Sequence, residues 1–408
     1  MFDKIKKVGL TNWIMIGMVL GAIVGFIVGP TIEPIGILGD IFIRLIQMSV
    51  TLMIFLAVIE AVGSLDPVDL GKLGAKMFGW FAALTVVGAT IGVVFALVFQ
   101  PGVGVATDTA TQAIAGTDMT IYDTIIGFFP NNIMGALADG NMIQVIVFAI
   151  LFGLGLSMIM KEDPDNMMLK FVTDANTAVQ RVIGLVMNFA PIGIFAIIAQ
   201  VVGTSGLDVI LSLGKFLLVF LAAATVHLAF AFVITSLKAG VNPWHVVKKT
   251  KNMFIIAATT TSSSVALPTK MEDSEKLFGM SKRINGLVNP LGTALNSNGL
   301  SMYLGIAVVF LAQIYEIEMP LSYLVYAVAL SSLATLGTVT VPGGGIVALT
   351  VVVPYLGLPA ASIGLLAGID WFSGMIRTPL NTIIDALVAM VISADEDELD
   401  YEVFNSTL

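Results

Sequence analysis

The sequence predicts an all-α polytopic membrane protein with eight transmembrane helices and two opposed re-entrant helical hairpins, arranged as inverted repeats. Three observations carry this. Hydrophobic residues make up 57% of the 408-residue chain and charged residues 12%, against about 25% charged in an ordinary soluble domain. Mean hydropathy is +0.97, more apolar surface than a soluble fold can hide. Lysine and arginine gather on alternate loops.

Crossing the hydrocarbon core takes about 20 residues. Candidate spans run over 11–29, 38–63, 77–99, 121–160, 170–202 and 207–237. The fourth is over-long and holds Pro130, Asn131 and Asn132, so it is expected in pieces. The fifth begins amphipathic and carries Arg181. Lys4, Lys6 and Lys7 precede the first span; Lys72 and Lys76 follow the second, Lys161 and Lys170 the fourth, and Lys238, Lys248, Lys249 and Lys251 the sixth. The loops near 30–37, 100–120, 203–206 and 314–319 carry no Lys or Arg. By the positive-inside rule both termini are cytoplasmic, and the acidic stretch Asp395 to Glu402 weighs little against that. MFDKIKKVGLTNW is followed by a long apolar run with no A-x-A cleavage site, which reads as a retained first span.

The last 170 or so residues differ. Asn252 to Pro268, NMFIIAATTTSSSVALP, is too short and too hydroxylated for an ordinary span. Basic residues flank it on both sides, with Lys270 and Lys276 after it, so it should dip in and return. Tyr323 to Leu358 has two apolar halves around GTVTVPGGG and no flanking Lys or Arg, so its flanks belong outside. Each hairpin precedes an apolar stretch interrupted by polar residues: Pro290 to Gln313, then Gly368 to Ser393. Such inverted repeats place a binding site near the midplane, where unpaired backbone is tolerated only in a buried or cavity-lining position.

Composition excludes several functions. A net charge of -9 argues against nucleic acid. The absence of cysteine excludes disulfides and thiolate chemistry. The two histidines, His227 and His245, have no metal spacing and read as buried or interfacial. With no paired catalytic groups the chain is not expected to be an enzyme. Hairpins also build channel filters, but the asymmetric charges below favour a carrier. Arg44, Glu60 and Lys215 read as packing or interfacial charges.

Charges inside a membrane are costly and usually functional. Arg377, Asn381 and Asp385 lie four residues apart and share one helix face, with Asp370 near the start of that helix. A guanidinium suits a carboxylate; an Asn and an Asp suit a hard cation. The alternative is an internal Arg–Asp pair that only holds helices together. Pro379 removes a backbone donor and frees a carbonyl. Ser262, Ser263 and Ser264 at the first hairpin tip can bind a carboxylate or cap the backbone. Gly343, Gly344 and Gly345 let backbone approach a ligand, and Thr335 and Thr338 can add oxygens to a cation site. Asn296, Asn298 and Gly299 break the seventh span.

The TSSSVALP hairpin, the PLG…N.NG break, the VPGGG hairpin and the D…RT..N…D helix resemble, in order and over nearly the whole chain, the dicarboxylate/amino acid:cation symporter family. The resemblance implies a homotrimer in the cell (inner) membrane with an elevator-type transport domain and the second hairpin as outer gate. Scaffold helices would lie in 1–76, a transport-domain helix in 77–99, an extracellular loop and scaffold helices in 100–205, the transport domain in 206–394 and an acidic cytoplasmic tail in 395–408. Ser263 and Asn381 would bind one substrate carboxylate with backbone near Val341 and Gly345. Arg377, with Thr378 beside it, would bind a second. Asn296, Asn381 and Asp385, with the Gly292 carbonyl, would hold one sodium ion; backbone near Thr335 and Thr338 would hold another.

Four departures from the family pattern shape the expected substrate. Gly374 stands where amino-acid carriers have an aspartate for the ammonium group. Asn298 replaces the aspartate of a further sodium site. Phe81, Leu84 and Thr85 stand where polar residues support that site. Leu300 replaces a threonine near the distal carboxylate. They point to a C4-dicarboxylate such as succinate, fumarate or malate, with acidic amino acids as the alternative and Ser373 as a partial substitute for the missing aspartate. Importing a dianion against an inside-negative potential costs about 2.3 kcal/mol per charge per 100 mV, so co-transported cations are expected: sodium, with protons in addition or instead.

Overall fold

The computed structural model describes residues 10–64, 73–104, 126, 129–205, 208–335, 344–359 and 362–406. Among these, α-helices and their connections account for the architecture. Helix α1, Leu10–Val28, passes through a 3-10 turn, Gly29–Ile35, into α2, Gly36–Gly63. Then come α3 (Ala75–Phe99), α4 (Ile133–Ala138), α5 (Met142–Glu162), α6 (Met167–Met187), α7 (Ala190–Ser205) and α8 (Asp208–Ala239). The second half holds α9 (Pro243–Lys249), α10 (Lys251–Thr260), α11 (Ser263–Lys276), α12 (Lys282–Leu295) and α13 (Asn298–Ile314). It closes with α14 (Leu321–Leu333), α15 (Gly344–Tyr355), α16 (Ile363–Ala367), α17 (Asp370–Asp395) and α18 (Tyr401–Ser406). Among the described residues six helical stretches are long and apolar enough to cross a membrane, or seven when α6 and α7, bent by 53°, make one span.

Local chemistry sets the breaks. Asn132 caps α4 by accepting from the Met134 amide at 3.0 Å, and Gly140 at φ +67° lets the chain restart as α5. The α6–α7 bend falls just before Pro191, which has no amide hydrogen to continue the ladder. The stretch Gly368 to Ser393, expected to be interrupted at its polar residues, is one helix from Asp370 onward. Its interruption comes earlier, at Gly368 and Ile369, and Asp370 opens α17 where a carboxylate favours the helix N-terminus.

Burial separates an inner layer from an outer one. In their most apolar windows the stretch Lys282–Ile314 is 94% buried and α17 83% buried, against 17% for Ile16–Phe42. Every residue of α13 is buried except Gln313, so α13 is an interior helix. Helix α1 instead lies against α7, where Gly17, Gly21 and Gly25 meet the Pro191, Phe195 and Ala199 carbonyls. Small residues at this spacing bring backbones together as in membrane helix pairs.

The segment after α17 is clamped. Lys76 pairs with Glu396 at 2.6 Å, Lys238 with Asp395 at 3.1 Å and Arg283 with Glu398 at 2.6 Å. Ser281 donates to Glu398. Tyr401 donates its hydroxyl to the Ala239 carbonyl at 3.0 Å. The acidic residues thus gather the ends of α3, α8 and α12 at one end of the molecule.

Candidate functional site

Helix α12 stops at Leu295. Asn296 (φ -112°, ψ 124°) and Ser297 (φ -140°, ψ 65°) run in non-helical backbone before α13 begins. This break lies against the middle of α17. Gly292 packs directly on Asp385: a β-carbon there would stand 2.7 Å from its carboxylate. Asn381 Oδ1 accepts the Gly299 amide at 2.7 Å. Gly299 itself lies on the Arg377 carbonyl, which leaves no room for a side chain.

Asp385 is fully buried and holds two donors. Its Oδ1 accepts from Asn296 Nδ2 at 2.7 Å, and its Oδ2 accepts from Lys270 Nζ at 2.7 Å. Lys270 is also fully buried. Its ammonium further donates to Thr293 Oγ1 at 2.6 Å and to the Asn289 carbonyl at 3.0 Å. Three donors meet three oxygens, which meets the requirement for a buried ammonium. Sequence reasoning read Lys270 as a flanking basic residue; here it is part of the core. The signal was its spacing: Ser263, Ala266, Lys270 and Asp273 form the buried face of α11, and Lys270 lies seven residues from Ser263 on that face.

The web continues toward α3 and α8. Asn296 Oδ1 accepts from Asn298 Nδ2 at 2.6 Å and Thr85 Oγ1 at 3.3 Å. Asn298 Oδ1 lies 3.1 Å from His227 Nε2. His227, assigned only a packing role from the sequence, therefore supports the broken helix. Phe81 and Leu84, both buried, bring no polar atom to this corner.

Arg377 lies about two turns before Asp385, and its partner is Asp370. Arg377 Nη1 lies 3.3 Å from Asp370 Oδ1 and 3.5 Å from Ser373 Oγ. The guanidinium carbon stands 5.5 Å from the centre of the Tyr303 ring, in cation–π range. Gly345, at the start of α15, closes on the pair. The other terminal nitrogen, Nη2, turns toward Gly374, 3.9 Å from a β-carbon placed there. Across that gap lies Thr261, at φ +49°, between α10 and α11. Its Oγ1 is buried and has no hydrogen-bond partner among the described residues. A β-branched residue in the left-handed region is strained, and such strain gathers at functional sites. Among the described residues, no acceptor engages Nη2.

The remaining expected residues divide. Ser262 caps α11, its Oγ accepting from the Val265 amide at 3.4 Å. Ser263 is buried at the first position of α11, and Ser264 is exposed. Thr378 is buried beside Arg377. Thr335 is buried and donates to the Ser332 carbonyl at 2.7 Å. Val341 and Thr338 lie outside the described residues. Glu60 accepts from Asn176 at 2.6 Å and Lys215 donates to the Gln100 carbonyl at 2.8 Å, both packing roles.

Residues 10–395 match the model of the sodium:dicarboxylate symporter family. The chain is 33% identical over 420 residues to a proton/sodium-glutamate symport protein of Geobacillus stearothermophilus, covering 97% of each chain. It is 32% identical to a C4-dicarboxylate transport protein of Anaeromyxobacter sp. (strain K), covering 95% of this chain and 90% of the relative. It is also 32% identical to a proton/glutamate-aspartate symporter of Escherichia coli (strain K12), covering 97% of this chain and 94% of the relative.

Proposed function

We propose that this chain, which belongs to the sodium:dicarboxylate symporter family, is a secondary active carrier that imports a C4-dicarboxylate such as succinate, fumarate or malate. It is a transporter and not an enzyme. The observation that carries the substrate reading is the gap between Gly374 and Thr261. Arg377 Nη2 faces it, and so does the Thr261 hydroxyl, which has no hydrogen-bond partner among the described residues. A carboxylate fits both donors. With Gly374 in place of an acidic side chain, nothing at that turn of α17 pairs with a substrate ammonium. Asp370 is engaged with Arg377. The second substrate carboxylate would meet the amide end of α11 at Ser263 and Asn381, an anion-favouring helix N-terminus.

Acidic amino acids are the second reading, favoured by relatives named as glutamate and glutamate-aspartate symporters. Ser373 is the residue that would serve it, since its hydroxyl already lies at the Asp370–Arg377 pair.

The working cycle we infer has α3 and the second half of the chain moving against a scaffold of α1, α2 and α5 to α7, with α10–α11 and α14–α15 as re-entrant hairpins. The glycine-tight α1–α7 contact supports a rigid scaffold. Assembly as a homotrimer is inferred from membership of the family. Closure of α14–α15 upon a cation near Thr335 and upon substrate would couple the two by population shift. The basic ends held by the acidic C-terminal segment support a cytoplasmic location for both termini.

Uptake of labelled succinate into liposomes under an inward sodium gradient, with unlabelled L-aspartate as competitor, tests this reading. Succinate accumulation that L-aspartate leaves unchanged supports it. Absent succinate uptake with saturable L-aspartate uptake transfers the assignment to acidic amino acids.

A further inference from the structure

We propose that the ammonium of Lys270 is a tethered cation occupying the position at Asp385 where a co-transported sodium ion was expected, so this chain binds no sodium there. The inference rests on the carrier reading above but not on the identity of its substrate.

Each oxygen expected to bind that ion already receives a hydrogen bond. Asp385 Oδ2 accepts from Lys270 at 2.7 Å and Oδ1 from the Asn296 amide at 2.7 Å. Asn296 presents its nitrogen to Asp385 and turns its oxygen away, to Asn298 and Thr85. Asn381 Oδ1 takes the Gly299 amide. The Gly292 carbonyl takes the Asn296 amide at 2.8 Å. A sodium ion entering here would meet two donors, one of them positively charged, and would have to displace both.

The lysine is equally committed. Its three contacts are all oxygens, contributed by Asp385, Thr293 and Asn289. Asn289 is fixed in turn by Ser274 at 3.1 Å and Asn285 at 2.6 Å. Lys270 and Asp385 are both fully buried. Replacing a buried ion pair by apolar residues of similar volume is often neutral or stabilising, so stability alone does not account for two charges at this position. A cation carried by the protein has a further role: it neutralises Asp385 beneath an anion site and returns with the carrier on every cycle. Sodium coupling then falls to cation sites elsewhere, such as the one proposed near Thr335.

The test uses the full-length protein in detergent, without substrate, with sodium chloride replaced by choline chloride at constant ionic strength. The readout is the thermal midpoint, because an ion that binds the folded state raises it. Lys270→Thr leaves Asp385 open and keeps a hydroxyl in place. Its midpoint should rise by about 4 °C or more beyond any rise of the wild type between zero and about 300 mM sodium. Any rise that the wild type shows comes from cation sites elsewhere, and the double variant Lys270→Thr/Asp385→Asn should fall back to that wild-type rise. A sodium-dependent rise in the wild type that Asp385→Asn removes would overturn the proposal, as would a folded Lys270→Thr whose rise does not exceed that of the wild type. An experimental map of the wild type in about 300 mM sodium reads the same question if the variants do not fold. Lys270 Nζ within hydrogen-bond distance of Asp385 supports the proposal; an ion at Asp385 with the lysine swung away overturns it. Neither readout contains substrate, so failure of succinate uptake and failure of this inference remain distinct results.

Discussion

Gly345 lies so close to Asp370 that a β-carbon would stand 2.0 Å from its Oδ1, and 2.3 Å from Arg377 Nη1. The start of α15 therefore rests on the ion pair at the centre of the site. Any side chain here pushes either the helix or the pair. Overpacking of this kind costs about 1–3 kcal/mol. Gly345→Ala should lower uptake by roughly 10-fold or more. The thermal midpoint, measured alongside, separates a displaced arm from a general loss of folding. Unchanged uptake would show that the pair yields without consequence.

Arg377→Lys keeps the charge but removes the fork. Lysine offers a point charge where the site presents Nη1 to Asp370 and Nη2 to the Gly374–Thr261 gap. Hydrogen bonds to charged groups contribute about 1.5–3 kcal/mol. Substrate affinity should drop by about 10- to 150-fold, read as competition for labelled succinate. A variant with wild-type affinity would remove Arg377 from the substrate contacts.

Gly374→Asp should change selectivity instead. A β-carbon at this position comes no nearer than 3.4 Å to Thr261, so a side chain fits with a small adjustment. Its carboxylate would supply the missing partner for an ammonium group and repel a second substrate charge. L-aspartate should then compete with succinate at a concentration at least about 10-fold lower than for the wild type. If L-aspartate competes equally in both, amino-acid recognition does not depend on this turn of α17.

A pH effect is expected at the clamp after α17. Arg283 and Ser281 donate to Glu398 and hold its carboxyl below the ordinary value of 4.5. Because the folded state lowers the value, the contribution is fully present above the unfolded value. It fades as pH falls through the lowered folded one. The pair is partly exposed, so its worth is about 0.2–1 kcal/mol. Glu398→Gln should lower the thermal midpoint by about 1–2 °C near neutral pH. That difference should vanish at acid pH. A gap that persists in acid would mean that something other than the charge holds the segment.

The polar residues of α17 were legible in the sequence because their four-residue spacing defines a face, and Asp370 was expected at the helix start, where it lies. Their partners were not legible. Arg377 and Asp385 share that face, but eight residues are about 12 Å of helical rise, too far for an ion pair. Each therefore takes a partner elsewhere, Asp370 for one and Lys270 for the other. Lys270 is 115 residues from Asp385 in the chain, and no local pattern links them. Its proximity to Lys276, which is exposed and pairs with Glu272, made it look like one more flanking charge. His227 was hidden by the same limit, since its contact with Asn298 spans 71 residues. A break in the seventh span was readable because polar residues interrupt an otherwise apolar run, but it falls at Asn296 and Ser297, and Asn298 and Gly299, expected to share it, open α13.

Among the described residues, Asp370 with Arg377 and Asp385 with Lys270 form two ion pairs at the site. Their charges cancel. In a carrier whose site moves through the membrane field, each uncompensated charge would bias the motion by about 2.3 kcal/mol per 100 mV. An empty site with these two pairs intact offers the field nothing to pull. Its return stroke would be electrically silent, and voltage would act on this protein only through what it carries.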